Sequence, residues 1–248
     1  TFAETRTIGG RVDGEFSAFT VGFEGYRRNW DAVNTLRMAG VYTGQASVPG
    51  VWMTTGGAYA QFRKMLLDRL QIVAGARFDA ASSEATDPAA NTDLYYAYHG
   101  TRARRRGDAH PSGSVWLSYA LGNGLELFAG AGRTIRFPDP QERFFALQRM
   151  GTDWVGNPAL RSTKNTETDL GLTFHRRLLT IRPTLFHSRL HDFVLVLNQP
   201  RSIAVPSVMN PAARSYGNVE ATIYGGELEW SFAVSRTLLL KGGLSYAR

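Results

Sequence analysis

The 248-residue chain has a formal charge of +7 and 43% hydrophobic residues, which is too apolar for a chain disordered over most of its length. It has no cysteine, which excludes a disulfide framework and a thiolate metal site. No apolar run approaches the roughly 20 residues of a membrane-spanning helix, since the longest, LLTIRPTLF, is broken by Arg182 and Pro183.

Period-two alternation recurs from end to end and predicts about ten strands. In chain order they cover residues 1–8, 15–26, 54–64, 69–79, 112–121, 125–135, 164–175, 179–191, 218–232 and 237–247. In the fourth, Leu70, Ile72, Ala74, Ala76 and Phe78 share one face, and Gln71, Arg77 and Asp79 the other. In the seventh, Leu170, Leu172 and Phe174 oppose Glu167, Asp169 and Thr173. In the ninth, Leu228, Trp230 and Phe232 oppose Glu227 and Glu229. Gly75, Gly130, Gly132 and Gly171 lie inside such runs, where a sheet tolerates a bend or a close approach better than a helix tolerates glycine.

The connections alternate, short then long. Residues 9–14, 65–68, 122–124, 176–178 and 233–236 are short; 27–53, 80–111, 136–163 and 192–217 are long. In a meander every second connection lies at the same end, so all the short turns fall at one end and all the long loops at the other. That asymmetry is the profile of a transmembrane β-barrel, whose outside is apolar and inside polar. Phe16, Tyr26, Trp52, Tyr119, Phe137, Phe174, Trp230 and Tyr246 are candidates for its interfacial aromatic girdles.

Candidate chemistry is sparse. His187 and His191 are about 13 Å apart along a strand, too far to share a metal, so no metal site is expected. The run RARRR, Arg102 to Arg106, has no nucleic-acid-binding motif beside it, and no nucleic-acid partner is expected. His191 with Asp192, and Asp87 and Asp93, fall near the long-loop ends of strands, where an acid/His pair could activate water.

The stretch GNPALRSTKNTETDLGL, Gly156 to Leu172, resembles the loop-to-strand signature of TonB-dependent outer-membrane receptors, with Ser162 and Thr163 where the family often has Pro-Glu. Four further pieces agree in order: GAYAQFRKMLLDRLQIVAGARFDA (57–80), GRTIRFPDPQERF (132–144), LFHSRLHDFVL (185–195) and NVEATIYGGELEW (218–230). The resemblance implies an all-β, antiparallel up-and-down barrel of which residues 1–248 supply about ten of some twenty-two strands. The plug domain and TonB box of the family would lie outside it, and no cofactor is implied.

It further implies a Gram-negative outer-membrane receptor and active transporter, energised by the TonB complex and in contact with outer-membrane lipids and lipopolysaccharide. The cargo would be a ferric siderophore or other metal complex, with copper or cobalamin as alternatives within the family. A passive porin-like channel and an omptin-like protease are the alternatives outside it. Ligand-binding candidates in the long loops are Tyr95, Tyr96, Tyr98, His99, Arg102, Arg104, Arg105, Arg106, Arg143, Arg149 and Trp154, because aromatics stack on flat chelators and arginines hold anions. Gly156, Asn157, Pro158, Leu160, Asn165, Glu167, Gly171, Gly226 and Glu227 carry the family pattern and are expected to be structural.

Overall fold

The computed structural model describes residues 2–38 and 41–248. Ten long strands form one antiparallel meander in which each pairs with the next: β1 (Phe2–Phe16), β2 (Phe19–Met38), β3 (Val41–Leu66), β4 (Leu70–Ala85), β5 (Arg105–Gly122), β6 (Leu125–Arg136), β9 (Thr163–Arg176), β10 (Leu179–Pro200), β11 (Ala212–Ala233) and β12 (Leu239–Ala247). Two short strands, β7 (Ala146–Leu147) and β8 (Asp153–Val155), lie between β6 and β9, and β8 runs parallel to the upper part of β11. Helix α1 (Thr92–His99) follows β4, and α2 (Pro140–Phe144) follows β6. Among the described residues β1 pairs only with β2 and β12 only with β11, so the sheet is an open wall with two edges.

The alternation holds through the pairing. Leu127 of β6, Leu172 of β9, Leu228 of β11 and Leu244 of β12 fall on one row of the sheet, with Pro183 of β10 between β9 and β11. All four leucines are exposed or half-exposed. On the opposite face Arg77 bonds Asp79 at 2.7 Å and Glu24 at 2.5 Å, and Arg11 lies 5.1 Å above the Tyr59 ring. A wall with leucines outside and ion pairs inside is inverted relative to a water-soluble sheet.

Residues 9–14, expected as the first turn, are inside β1: Gly9 pairs with Tyr26, Gly10 with Gly25 and Gly14 with Val21. The turn falls at Ser17, whose φ is 55°. Three glycines and an aspartate mimic a turn, but the run of paired residues on both sides holds them extended. Likewise most of 27–53 is not a loop but the arms of a long hairpin, β2 and β3. At 26 residues and about 3.3 Å each, β3 spans roughly 85 Å, several times the ~25 Å apolar band of a barrel. Its upper half lies beyond that band and needs no apolar alternation. Of the girdle candidates, Tyr119, Phe174, Trp230 and Tyr246 face outward, whereas Tyr26 and Phe137 line a groove on the inner face with Arg77 and Asp79.

The interior also holds apolar groups, and inward Phe128 is the most buried aromatic among them. It is 2% exposed, stacks on Trp116 at 4.9 Å and lies under the Arg182 guanidinium at 4.7 Å. A Cβ on Gly171 would come within 2.3 Å of the Phe128 ring, so this glycine makes room for the ring.

In the full-length barrel, Leu172→Arg is expected to cost about 2–4 kcal/mol, as a charge near the bilayer midplane does, whereas inward Thr173→Arg, opposite Glu126, costs less than about 1 kcal/mol. Urea unfolding in lipid vesicles, followed by tryptophan fluorescence, measures both.

Candidate functional site at the long-loop end

The long connections fold into a packed layer over the inner face at the long-loop end. α1 contributes Leu94, Tyr95, Ala97 and Tyr98, which pack with Phe144 at the end of α2, Ala146, Val155 and the 201–211 connection (Val205, Val208) against Val48, Val51 and Ala85 of the wall. The local sequence explains both helices. Asn91 caps α1 by accepting from the Leu94 amide, and Gly100, at φ 68°, closes it. Asp139 and Glu142 make a capping box at the start of α2, with Pro140 at its first position.

Polar bonds staple the layer to the wall. Arg143 is 1% exposed; it bonds Asp108 of β5 at 2.6 Å, Ser83 of β4 at 3.2 Å and the Leu160 carbonyl at 3.0 Å. Burial works to lower the Arg143 pKa, and the Asp108 carboxylate opposes it. Tyr95 donates to the Phe144 carbonyl at 2.6 Å, and Tyr98 to Asp153 at 2.7 Å. Burial raises the pKa of both phenols, keeping them as donors.

Ser215 gives its hydroxyl proton to the Val155 carbonyl, which leaves its oxygen to accept from His99 Nε2 at 2.7 Å. Burial pushes the His99 pKa down to about 4, so the ring is neutral.

The GNP stretch is a clamp within this layer. The Gly156 amide bonds the Phe145 carbonyl, and a Cβ there would sit 2.6 Å from the Arg143 backbone. Asn157 accepts from the Ala159 amide and donates to the Tyr216 carbonyl at 3.0 Å. Pro158 and Leu160 are buried, and Asn165 bonds Ser188 and Glu167 on the inner face. Gly226 and Glu227 pair with Leu185 and Thr184 in the middle of the wall. Sequence reasoning missed Asn218 and gave Asp192 a different role, as a partner of His191. Asn218 exchanges two bonds with the Arg161 backbone, while Asp192, in a β-bulge at φ 57°, holds Arg161 at 2.6 Å.

The candidate ligand residues therefore separate. Tyr95, Tyr98, His99 and Arg143 are engaged inside the layer, and Arg104 bonds the Ala85 and Asp87 carbonyls. Arg105 and Arg106 are exposed on β5, opposite Glu84 and Ser83. Tyr96 carries the Arg102 guanidinium 4.4 Å above its ring, and Arg102 also pairs with Asp93. Arg149 and Trp154 come together: they form a cation–π pair at 5.7 Å and line a groove of about 550 Å³ with Gln45, Phe145, Leu147 and Met150. His191 is held by Glu220 at 2.6 Å and Asp192 by Arg161, so these two do not form an acid/His pair with each other. Among the described residues no cluster of three His, Asp or Glu is placed to hold a metal ion.

An inverted, antiparallel wall with tight turns at one end and a folded loop layer at the other defines part of a transmembrane β-barrel. The family model described as "TonB dependent receptor-like, beta-barrel" matches residues 2–248, and the chain belongs to that family. Membership of a receptor family, not an enzyme family, removes the protease alternative. No curated protein matches the sequence.

Similar solved structures include the copper transporter OprC, at 23% identity and TM-score 0.72 over 99% of this chain and 37% of that one. The hemophore receptor HasR of Serratia marcescens, a double mutant with its hemophore HasA and heme, has 13% identity and TM-score 0.71 over 99% and 42%. The siderophore receptor PirA from Pseudomonas aeruginosa has 14% identity and TM-score 0.61 over 99% and 49%. The chain thus spans less than half the length of each, and at these identities the likeness is one of fold.

Asp108→Ala should strand the Arg143 charge in the layer and cost about 3–5 kcal/mol. Limited proteolysis of the full-length protein should then cut within residues 137–162, which stay protected in the parent. The His99 pH dependence has a definite sign. Its pKa is near 6.5 unfolded and about 4 folded, so its contribution to stability is intact above 6.5 and falls as pH drops towards 4. Hydrogen exchange should show α1 losing protection over that window, and the loss should be absent in His99→Asn.

Proposed function

We propose that this chain is the ligand-facing wall of an outer-membrane active transporter that takes up a metal complex with energy supplied through TonB. The observation that carries the reading is the groove lined by Trp154, Arg149, Phe145 and Leu147 in a folded layer at the long-loop end. With the short turns at the periplasmic side, as barrels of this kind have them, the groove opens to the cell exterior. Its aromatic and apolar walls suit a flat chelator, and Arg149 and Arg214, both near the Trp154 ring, suit its negative charge. A metal chelate such as a ferric siderophore has both features. Tyr96 with Arg102 provides a second aromatic–arginine pair on the same layer. The similar structures are, by name, a copper transporter, a hemophore receptor in complex with its hemophore and heme, and a siderophore receptor, which supports a metal-containing cargo.

Copper is the second reading. Met150 lies in the groove lining at 91% exposure, and Met209 is 80% exposed beside Asn210, whose side chain bonds the Arg149 carbonyl at 2.7 Å. Thioethers favour cuprous ion.

The test is growth of a deletion strain complemented with the full-length gene, under separate limitation for iron, copper and cobalamin, with and without TonB. Rescue in one condition that is lost without TonB is the expected result. TonB-independent rescue would indicate passive permeation and contradict the proposal. For a ferric siderophore, Arg149→Ala with Trp154→Ala should weaken binding to whole cells by at least about tenfold, while Tyr95→Phe, inside the layer, should leave it near the parent value.

A further inference from the structure

Two consecutive residues of the turn between β7 and β8 have all four backbone polar groups held by side chains. Gln45 of β3 accepts from the Gln148 amide at 2.9 Å and donates to the Gln148 carbonyl at 3.1 Å. Asp153 accepts from the Arg149 amide at 3.1 Å, and Asn210 of the 201–211 connection donates to the Arg149 carbonyl at 2.7 Å. An exposed turn ordinarily leaves such groups to water. Here three side chains from distant parts of the chain fix them instead.

Asp153 is the hub of the arrangement. Its Oδ1 also accepts from Asn210 at 2.7 Å, and its Oδ2 accepts from the Tyr98 hydroxyl at 2.7 Å. It is 1% exposed, and its three donors are neutral; among the described residues it has no cationic partner. Taking a carboxylate out of water without a cation is costly, and an apolar side chain would fill the space without that cost. The carboxylate is therefore placed for what it holds.

What it holds is the charge of the groove. Arg149 and Arg214 are exposed, lie 5.7 and 5.8 Å from the Trp154 ring, and make no ion pair among the described residues. Arg214 is fixed by its place in β11, opposite Trp154 in the parallel register. Arg149 sits in a turn two residues before Gly151, whose φ is 87°, and its backbone is fixed by Asp153 and Asn210. We propose that Asp153 is a positioning residue for anion binding: it holds the Arg149 backbone so that the Arg149 and Arg214 guanidinium groups converge on Trp154 and take an anionic group between them. Its use in uptake rests on the reading above, in which the cargo is an anionic chelate.

Charge and position act in opposite directions here. Removing the Asp153 charge alone makes the groove more positive and draws anions in, whereas releasing Arg149 lets them go. Asparagine removes the charge and keeps the position, because its carbonyl accepts from Arg149 and Asn210 while Tyr98 turns to the Asn210 carbonyl, 3.1 Å away. Alanine keeps neither, but the same carbonyl still gives Tyr98 a partner.

The experiment measures quenching of Trp154 fluorescence by iodide and by neutral acrylamide, with the full-length protein in detergent. Each variant is paired with its Trp154→Phe counterpart, so that the difference isolates this one indole. In Asp153→Ala the iodide-to-acrylamide quenching ratio should fall at least about twofold below the parent. Asp153→Asn should stay at or above the parent value, and Asn210→Ala, which keeps the carboxylate, should fall as alanine at 153 does. In an Arg149→Ala background, Asp153→Ala should cause no further fall. Heat-modifiable gel migration, unchanged in each variant, shows that the barrel is folded. An unchanged or raised ratio in Asp153→Ala, an equal fall in Asp153→Asn, or a full fall without Arg149 would each overturn the proposal. Iodide stands in for the cargo, so this result and that of the growth test fail independently.

Discussion

Inside a bilayer a backbone amide has no water to bond, so each strand must satisfy its polar groups on its neighbours, and that requirement organises everything else here. Pairing from β1 through β12 aligns residues in rows, and rows make the alternation of each strand coherent across the wall. Leu172 is outward because Leu127 and Leu228 are; Arg77 is inward, and Asp79 and Glu24 meet it there.

The loop layer obeys a different rule. It lies outside the hydrocarbon, so it folds as a small aqueous core, with Tyr95, Tyr98, Phe144 and Val155 inside and polar staples at its edge. Arg143 is its central bond, since one guanidinium reaches β4, β5 and the Leu160 carbonyl. A rigid layer of this kind fixes Arg149 and Trp154 against the β2–β3 arms, and a fixed groove loses less entropy on binding than a mobile loop does.

The wall was legible in the sequence because lipid imposes period two on it: each of the ten long strands overlaps one predicted segment, though β1, β2 and β3 run well beyond theirs, and the inward and outward faces of β4, β9 and β11 agree. Apart from residues 9–14, whose glycines mimic a turn inside β1, the errors fall where that constraint lapses. The β2–β3 arms rise above the membrane and lose the apolar rhythm, so they read as a loop. Tyr95 and Tyr98 read as exposed stacking groups because no periodicity marks a loop core. A local signal did exist: Leu94, Tyr95, Ala97 and Tyr98 at helical spacing between Asn91 and Gly100, and Asp139-Pro140-Gln141-Glu142 as a helix start. The clamp made by Asn157, Asn218 and Asp192 joins residues far apart in the chain, and no spacing rule exposes it.

The inversion of the wall is the central claim, and site-directed spin labelling tests it most directly, since the chain contributes no cysteine of its own. Single cysteines at positions 169, 170, 172 and 173 of the full-length protein, labelled in lipid vesicles, report access to oxygen, which partitions into lipid, and to a water-soluble nickel chelate. The account predicts oxygen-dominated relaxation at 170 and 172 and a larger chelate-to-oxygen ratio at 169 and 173. A reversed pattern, or chelate access at all four, would contradict it.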